Sequence, residues 1–423
     1  MKIEHGLLDW GIVAIFVTVY IGMILGGLPR LKLDRSGVAL LGAIGVIGLG
    51  AMSTEQAART VDLPTVLLLF SFMVVSAQMR LGGFYNAVTR RVAALPVGRN
   101  ALLGAIIAVA GALSAVFSND IICLAMTPVV AQLCLQRRLN PVPFLLGLAC
   151  AANIGSAATL IGNPQNMLIG SVLQLPFGGY VRQALPPVVL SLLVLWAWLA
   201  WGPGHEEPDT QVDAYRATPL VLPTGFGPLQ APPFDAWQTA KGLAVATALM
   251  GVFLFTEWNR DVAALVGAAG LLLSRRFHSA DVMGFVDWPL LLLFIGLFVV
   301  NHAFGQTGLA GEAVAWLAAQ GVHLTDPGAL LVLGTVLSNL VSNVPAVMLL
   351  LPHLGVDPQP AGVLLALVST FAGNLLLVGS IANLIVADLA AKEGIVLDWK
   401  RHLLTGLPVT FSSLLVVWVV FSR

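Results

Sequence analysis

The sequence predicts an all-α integral membrane protein with two inverted-topology repeats, each made of five spans (one of them broken) plus a re-entrant hairpin. Of its 423 residues, 58% are hydrophobic and 10% are charged, whereas a soluble domain is about 25% charged. A Ser-Asn motif at 113–120 recurs at 337–344. A glycine-containing break at 162–166 recurs at 379–383, with nearly the same offset along the chain. These observations indicate an internal duplication within a membrane protein.

We count ten apolar segments as spans. They lie at about 8–27, 37–52, 63–82, 141–176 (broken), 181–201, 239–257, 261–275, 285–305, 360–391 (broken) and 402–421. The first is longer than the hydrophobic core of a signal peptide and lacks a clear cleavage site, so we expect it to be a retained span.

Two further apolar segments, about 100–136 and 328–355, each carry a Ser-Asn pair near the middle. Each is too long for one span, and neither has a polar loop at its centre. Two half-length helices that meet at an unwound tip fit this pattern better than a continuous helix. We therefore expect both segments to be re-entrant hairpins.

These segments divide the chain into a first membrane repeat (1–201), a Pro-rich cytoplasmic linker (202–238) and a second membrane repeat (239–423). Because five spans is an odd number, the second repeat enters the membrane from the opposite side. Most basic residues, including Arg90, Arg91, Arg137 and Arg138, then fall on one side. The positive-inside rule makes that side cytoplasmic and both termini periplasmic.

A duplicated membrane protein with matching broken helices is typical of secondary transporters, whose substrate lies between the repeats near the bilayer midplane. Net charge is zero, with 21 basic and 21 acidic residues, so no nucleic-acid partner is expected. The three cysteines lie in apolar segments, and no pair of His, Cys or acidic residues has metal-site spacing. We expect no enzyme activity, no catalytic residue, no resident metal and no cofactor.

Unwound backbone within hydrocarbon must line a cavity or be covered by protein, so the tips and breaks should surround one polar site. Half-helix N-termini favour anions or lone-pair oxygens, while carbonyl and side-chain oxygens can coordinate a cation. The alternative for such side chains is interhelical hydrogen bonding. The predicted substrate-binding residues are Ser118, Asn119, Thr159, Asn163, Gln165, Asn166, Ser342, Asn343, Asn374, Ser380 and Asn383.

Asp120 is the only acidic residue in the first hairpin, and its duplicate position is Val344. Ionisable groups within membrane segments commonly carry protons or ions. We therefore predict that Asp120 is a proton or cation coupling residue. The alternative is that it caps the helix that follows the hairpin tip.

The paired motifs resemble those of the ion transporter superfamily, and nearly the whole chain takes part in the resemblance. They are Ser118-Asn119-Asp120 with Thr127-Pro128, the break at 162–166, Ser342-Asn343-Val344-Pro345, and the break at 379–383. Within the superfamily the chain is most similar to the arsenite efflux permease (ArsB-like) and YbiR-type branch, which is related to divalent anion:sodium symporters. The resemblance implies inverted repeats and a transport subdomain that moves against a scaffold.

Related sodium-coupled dicarboxylate carriers have Ser-Asn-Thr at both hairpin tips, whereas this chain has Asp120 and Val344 in place of the two threonines. The exchange loses two hydroxyl ligands and gains one acid, which favours proton coupling. Sodium coupling at the first tip is still an alternative, because similar breaks occur in sodium/proton antiporters. The transported proton, or sodium, is then the only ion that the mechanism requires.

No Lys or Arg lies in the hairpin tips or the helix breaks, so a neutral hydroxylated acid suits the site better than a doubly charged anion. We therefore expect a proton-coupled antiporter that exports arsenite or antimonite across the inner membrane. The alternatives are a sodium- or proton-coupled carrier of small organic or inorganic anions, and an ion channel. The expected partners are the oxyacid or anion and the lipid bilayer, and the resemblance allows a homodimer and an ATPase subunit.

Overall fold

The computed structural model describes residues 6–28, 31–202, 233–355 and 358–421. These ranges are built from helices and contain no strand beyond one isolated bridge between Gly27 and Asp34. The predicted all-α fold class is confirmed. Most of the predicted linker, residues 203–232, lies outside the described residues.

The described part of the first repeat contains ten helices. They are α1 (Leu7–Leu25), α2 (Arg35–Gly48), α3 (Thr54–Thr60), α4 (Leu63–Leu81), α5 (Phe84–Ala93), α6 (Arg99–Ser114), α7 (Asn119–Gln136), α8 (Pro141–Ser156), α9 (Pro164–Val172) and α10 (Phe177–Trp201).

The second repeat presents the same succession of elements. They are α11 (Ala236–Phe255), α12 (Arg260–Leu272), α13 (Ser279–Met283), α14 (Trp288–Gln306), α15 (Leu309–Ala319), α16 (Pro327–Val341), α17 (Asn343–Leu350), α18 (Pro358–Ala372), α19 (Ile381–Lys392) and α20 (Trp399–Phe421). Short 3₁₀ turns follow α17, at Leu351–His353, and precede α19, at Leu377–Gly379.

Each of the ten predicted spans coincides with one helix or with a broken pair, α8 with α9 or α18 with α19. Seven described helices are long and apolar enough to cross a membrane: α1, α4, α7, α10, α11, α14 and α20. The helix α7 differs from the prediction, because it is a full 18 residues rather than half a span. The short helices α3 and α13, which were not predicted, precede α4 and α14 in matching places.

The duplicated helices α4 and α14 begin in the same way. Asp62 accepts a hydrogen bond from the Thr65 backbone N–H at 2.8 Å, and Asp287 accepts one from the Leu290 backbone N–H at 3.0 Å. A proline stands in the first turn of both helices, where its missing N–H costs nothing. An N-cap carboxylate also interacts favourably with the helix dipole.

The helices pack in two groups, and each group contains helices from both repeats that pack against each other. In one group α2 packs on α14, while α4 packs on α12 and α11. In the other group α6 and α7 pack on α8, α16 packs on α18, and α7 crosses to α19. The helices α10 and α20 occupy matching places in the two repeats and pack against each other. The hairpins and broken helices thus form one body beside the group built on α2, α4, α12 and α14.

Close packing of α6 on α8 depends on Gly155. A Cβ atom there would lie 2.3 Å from Gly111 Cα and from the Gly111 carbonyl oxygen, both of them backbone atoms. Replacement of Gly155 by Ala must therefore push the two helices apart, at a cost of about 1–3 kcal/mol for overpacking. We expect a lower thermal unfolding midpoint for Gly155→Ala in detergent.

The matched control is Gly270→Ala on α12, where an added Cβ would meet no atom within 4 Å. Equal midpoints for the two variants would contradict this packing.

Candidate functional site

Both Ser-Asn pairs lie where one helix ends and the next begins. The helix α6 ends at Ser114 and α7 begins at Asn119, with Ser118 at its N-cap. In the second repeat α16 ends at Val341 and α17 begins at Asn343, with Ser342 at its N-cap. The sequence correctly places the hairpin tips at these residues.

The two broken helices restart with the help of their own polar side chains. Asn163 accepts a hydrogen bond from the Asn166 backbone N–H at 2.9 Å, and Pro164 stands in the first turn. Ser380 accepts one from the Ala382 backbone N–H at 3.2 Å. An accepting side chain at the N-cap satisfies one of the backbone donors that a helix start leaves free.

Asn166 and Asn383 make the same backbone contacts in the two repeats. The Asn166 side-chain nitrogen donates to the carbonyls of Ser156 (3.5 Å) and Thr159 (2.9 Å). The Asn383 side-chain nitrogen donates to the carbonyls of Gly373 (2.8 Å) and Leu376 (3.2 Å), which are the duplicate positions in the second repeat. These two asparagines therefore satisfy carbonyls that the breaks expose.

Asn153, near the end of α8, connects the first hairpin to the second break. Its side-chain oxygen accepts from Asn119 Nδ2 at 3.0 Å and from Ser380 Oγ at 2.9 Å. Its side-chain nitrogen donates to Asn374 Oδ1 at 2.8 Å and to Asn383 Oδ1 at 3.1 Å. One buried amide thus joins four of the predicted residues.

The reciprocal contact is made by Thr370, near the end of α18. Its hydroxyl accepts from Asn163 Nδ2 and from Gln165 Nε2, both at 3.2 Å. Thr370 is the duplicate position of Asn153, just as Ser380 is the duplicate position of Asn163. Each repeat therefore reaches from the end of its own α8 or α18 to the break of the other repeat.

Ser156 joins these two contacts into one network. Its hydroxyl donates to the Asn153 carbonyl at 2.8 Å and accepts from Asn163 Nδ2 at 2.9 Å. We call the connected residues the polar cluster, and all of them are buried. They are Asn119, Asn153, Ser156, Asn163, Gln165, Thr370, Asn374, Ser380 and Asn383.

Sequence reasoning missed Asn153 and Thr370, which lie inside apolar helices without a helix breaker beside them, and Ser156, which follows Gly155 at the end of α8. A signal was nevertheless present. Asn153 and Thr370 stand at the same distance before their repeat's N-cap residue, Asn163 or Ser380. Extending the offset between the two breaks upstream along the chain would have paired them.

The remaining predicted residues lie around the polar cluster. Thr159 donates to the carbonyl of Ala115, so it ties the first break to the first hairpin. The second tip approaches the second break, because a Cβ on Gly373 would lie 3.2 Å from Asn343 Nδ2. The side chains of Ser118 and Ser342 are half-buried at the two tips, and Ser342 has a positive φ of 79°.

Asp120 occupies the first turn of α7 and is half-buried. It has no hydrogen-bond partner among the described residues. The alternative N-cap role falls to Ser118 by position, not to Asp120. Asp120 is therefore an acid next to the polar cluster but not bonded into it.

The cluster offers amide and hydroxyl groups, and four helices (α7, α9, α17 and α19) begin at its tips and breaks. Helix N-termini add partial positive charge. Within the described ranges, no three His, Cys, Asp or Glu side chains are grouped as a metal site requires. The chemistry of the cluster is therefore neutral hydrogen bonding supplemented by helix dipoles.

A cavity of about 810 Å³ approaches this site from the protein surface. It lies between the α3–α4 turn, the end of α14 and the second hairpin, and it reaches Leu168 and Met348. Leu168 is about one helical turn beyond Gln165 on α9. None of the residues of the polar cluster lines the cavity, which reaches α9 about one turn away from Gln165, on the predicted periplasmic side.

The model of the citrate transporter family (CitMHS) matches residues 13–354. The silicon efflux transporter LSI3 of Oryza sativa subsp. japonica is 31% identical, over 90% of this chain and 91% of its own length. The chain belongs to the citrate transporter family. It is thus a multi-pass membrane transporter, and its predicted membership of the ion transporter superfamily is confirmed.

Other relatives agree with this assignment. The inner membrane protein YbiR of Escherichia coli is 28% identical, over 85% of this chain and 88% of its own length. A Dictyostelium discoideum transporter named arsB is 23% identical, over 92% of this chain and 87% of its own length. The YdaH transporter of Alcanivorax borkumensis has the same fold, with a TM-score of 0.60 at 14% identity. The match covers 98% of this chain and 96% of that structure's chain.

Replacement of Asn153 by Ala tests whether the polar cluster holds the repeats together. The change removes four side-chain hydrogen bonds. It leaves the buried polar groups that Asn153 contacts without a partner, at a cost of about 1–3 kcal/mol for each unsatisfied group. We expect a clear fall in the thermal unfolding midpoint in detergent. Asn259→Ala is the control, because Asn259 makes no side-chain cap bond at the start of α12. Equal stability of the two variants would argue against the network.

Proposed function

We propose that this transporter is a proton-coupled antiporter that exports an uncharged hydroxylated acid, arsenous or antimonous acid, across the inner membrane. The polar cluster carries the proposal, because it contains amides and hydroxyls without Lys or Arg. A neutral acid with several hydroxyl groups donates and accepts hydrogen bonds as these side chains do. A doubly charged anion would depend on helix dipoles, worth roughly 0.3–1 kcal/mol each and up to about 2 when partly buried.

Most of the buried side chains in the polar cluster already bond to one another. A substrate that enters must replace the bonds between Asn153, Ser380 and Asn119, or leave buried groups unpaired. Hydroxyl groups can do so from both sides, since each both donates and accepts. Silicic acid has the same hydroxylated, uncharged chemistry, and one relative is named as a silicon efflux transporter.

Asp120 is the proposed coupling residue. It is the only acid in the first hairpin, lies beside Asn119 and has no hydrogen-bond partner among the described residues. Binding of a proton there neutralises a charge next to the cluster, whereas release restores it. Alternation between these states in the two orientations of the site would link proton entry to substrate exit.

A second candidate is a sodium- or proton-coupled carrier of small anions. The family model is that of citrate transporters, and four helices begin at the hairpin tips and helix breaks. The side-chain oxygens of Asn119 and Asn343 are buried and lack partners among the described residues, which suits cation coordination. A channel, the candidate from another class, would give downhill flux only.

Flux in proteoliposomes separates these candidates. Antimonite or arsenite movement that dissipates an imposed pH gradient supports the antiporter. Sodium-driven uptake of citrate or a dicarboxylate, with no metalloid flux, supports the anion carrier. Metalloid tolerance of a sensitive host that expresses the chain gives the corresponding result in cells.

Asp120→Asn tests the coupling role. The amide keeps the shape of the side chain but cannot exchange a proton, so pH-gradient-driven antimonite export should fall to the level of empty liposomes. Antimonite binding should stay within about twofold of the unmodified protein.

Asp388→Asn removes an exposed carboxylate paired with Lys392 and serves as the control. Coupled export by Asp120→Asn at the rate of this control would rule out Asp120 as the coupling residue.

A further inference from the structure

The two breaks differ in the side chain that contacts one backbone carbonyl, although that carbonyl occupies duplicate positions in the two repeats. In the first repeat the Ala157 carbonyl accepts a hydrogen bond from the Tyr180 hydroxyl at 2.8 Å. The Asn374 carbonyl, at the duplicate position in the second repeat, instead lies 2.9 Å from His402 Nε2. Tyr180 lies on α10 and His402 on α20, the matching helices of the two repeats. A titratable imidazole thus replaces a phenol at the second break.

The geometry fixes how His402 is protonated in its neutral form. A carbonyl oxygen only accepts, so Nε2 must carry the hydrogen and Nδ1 must hold a lone pair. Nδ1 is buried and has no hydrogen-bond partner among the described residues. The whole side chain is 1% exposed. An unpaired buried acceptor is costly, and Nδ1 is the atom to which a proton would add.

His402 is held firmly against the second break. A Cβ on Gly406, about one turn further along α20, would lie 2.3 Å from the Asn374 carbonyl oxygen and 3.2 Å from His402 Nε2. The Asn374 side chain in turn accepts from Asn153. The imidazole is therefore separated from the centre of the polar cluster by a single residue.

Few other ionisable side chains face this position. Of the helices that pack on α20, α16 and α18 carry none, α8 carries Cys150, and α10 carries Tyr180 and Arg182. On its own helix and cap, the neighbours of His402 are Asp398, Lys400 and Arg401. A change in pH within the range where histidine titrates would thus act on this contact mainly through His402.

We propose that His402 is a second proton-binding residue of the transport cycle, a positioning residue that acts on the substrate site through Asn374. Proton addition at Nδ1 keeps the Nε2–H contact to the Asn374 carbonyl and places a positive charge beside the second break. Loss of that proton restores the neutral ring. This inference rests on the proton coupling proposed above and gives the two repeats unequal roles in it.

His402→Gln separates the two properties of the ring. Glutamine can still donate to the Asn374 carbonyl, but it cannot bind a proton. At a fixed pH gradient, antimonite export by the reconstituted full chain should vary with pH between about pH 5 and 8, and this variation should be at least about twofold smaller in His402→Gln, where only Asp120 still exchanges a proton. Antimonite exchange without a gradient should persist.

The control is His323→Gln, which removes an exposed histidine in the turn before α16, away from the residues that line the cavity. Its pH profile should match that of the unmodified protein. An unchanged profile in His402→Gln would overturn the inference while leaving proton coupling in place. If the unmodified protein moves no protons with metalloid, the proposed function itself fails.

A second measurement applies if His402→Gln does not fold. In Asp120→Asn protein the acid can no longer exchange a proton, so any proton exchanged on antimonite binding must come from another group. Proton uptake or release in weakly buffered detergent solution that disappears above about pH 8 supports His402. Absence of any proton exchange across this range contradicts it.

Discussion

The whole arrangement depends on a reciprocal pair of hydrogen bonds between the repeats. Asn153 of the first repeat accepts from Ser380 of the second, and Thr370 of the second accepts from Asn163 of the first. Each bond joins the end of α8 or α18 in one repeat to the start of α19 or α9 in the other repeat. The backbone carbonyls that the breaks expose are paired separately, by Asn166 and Asn383 of the same repeat, so these two bonds serve to join the repeats. The duplicated chain therefore closes around one polar cluster instead of forming two separate ones.

The same bonds set the kind of molecule that the site can hold. The cluster is neutral and buried, and its side chains bond mainly to one another, with the Asn119 side-chain oxygen left without a partner among the described residues. Entry of a ligand therefore exchanges hydrogen bonds rather than pairing charges. In a low-dielectric setting an incompletely matched exchange is costly. This condition favours a compact, uncharged solute with several hydroxyl groups. In the proposed mechanism, Asp120 and His402 are the places where protons alter the charge around an otherwise neutral site.

Much of the architecture could be read from the sequence, because duplicated motifs and apolar segments report spans, tips and breaks directly. Asn119, Asn374, Ser380 and Asn383 were expected at one site and meet there. Asn153 and Thr370 escaped notice because nothing next to them interrupts their helices. The sequence also could not show that the side-chain amides of Asn166 and Asn383 donate to carbonyls of their own break, since that depends on the path of the backbone at each break. The length of α7 likewise depends on packing against α8 and α19.

A double-mutant cycle on Asn153 and Ser380 tests the shared cluster most directly. The free energy of unfolding in mixed micelles would be measured for Asn153→Ala, Ser380→Ala and the double variant. If the two side chains bond across the repeats, the losses are less than additive, with a coupling of about 0.5–3 kcal/mol. Strictly additive losses would mean that the two repeats do not meet through these residues, and the account of a single shared site would be wrong.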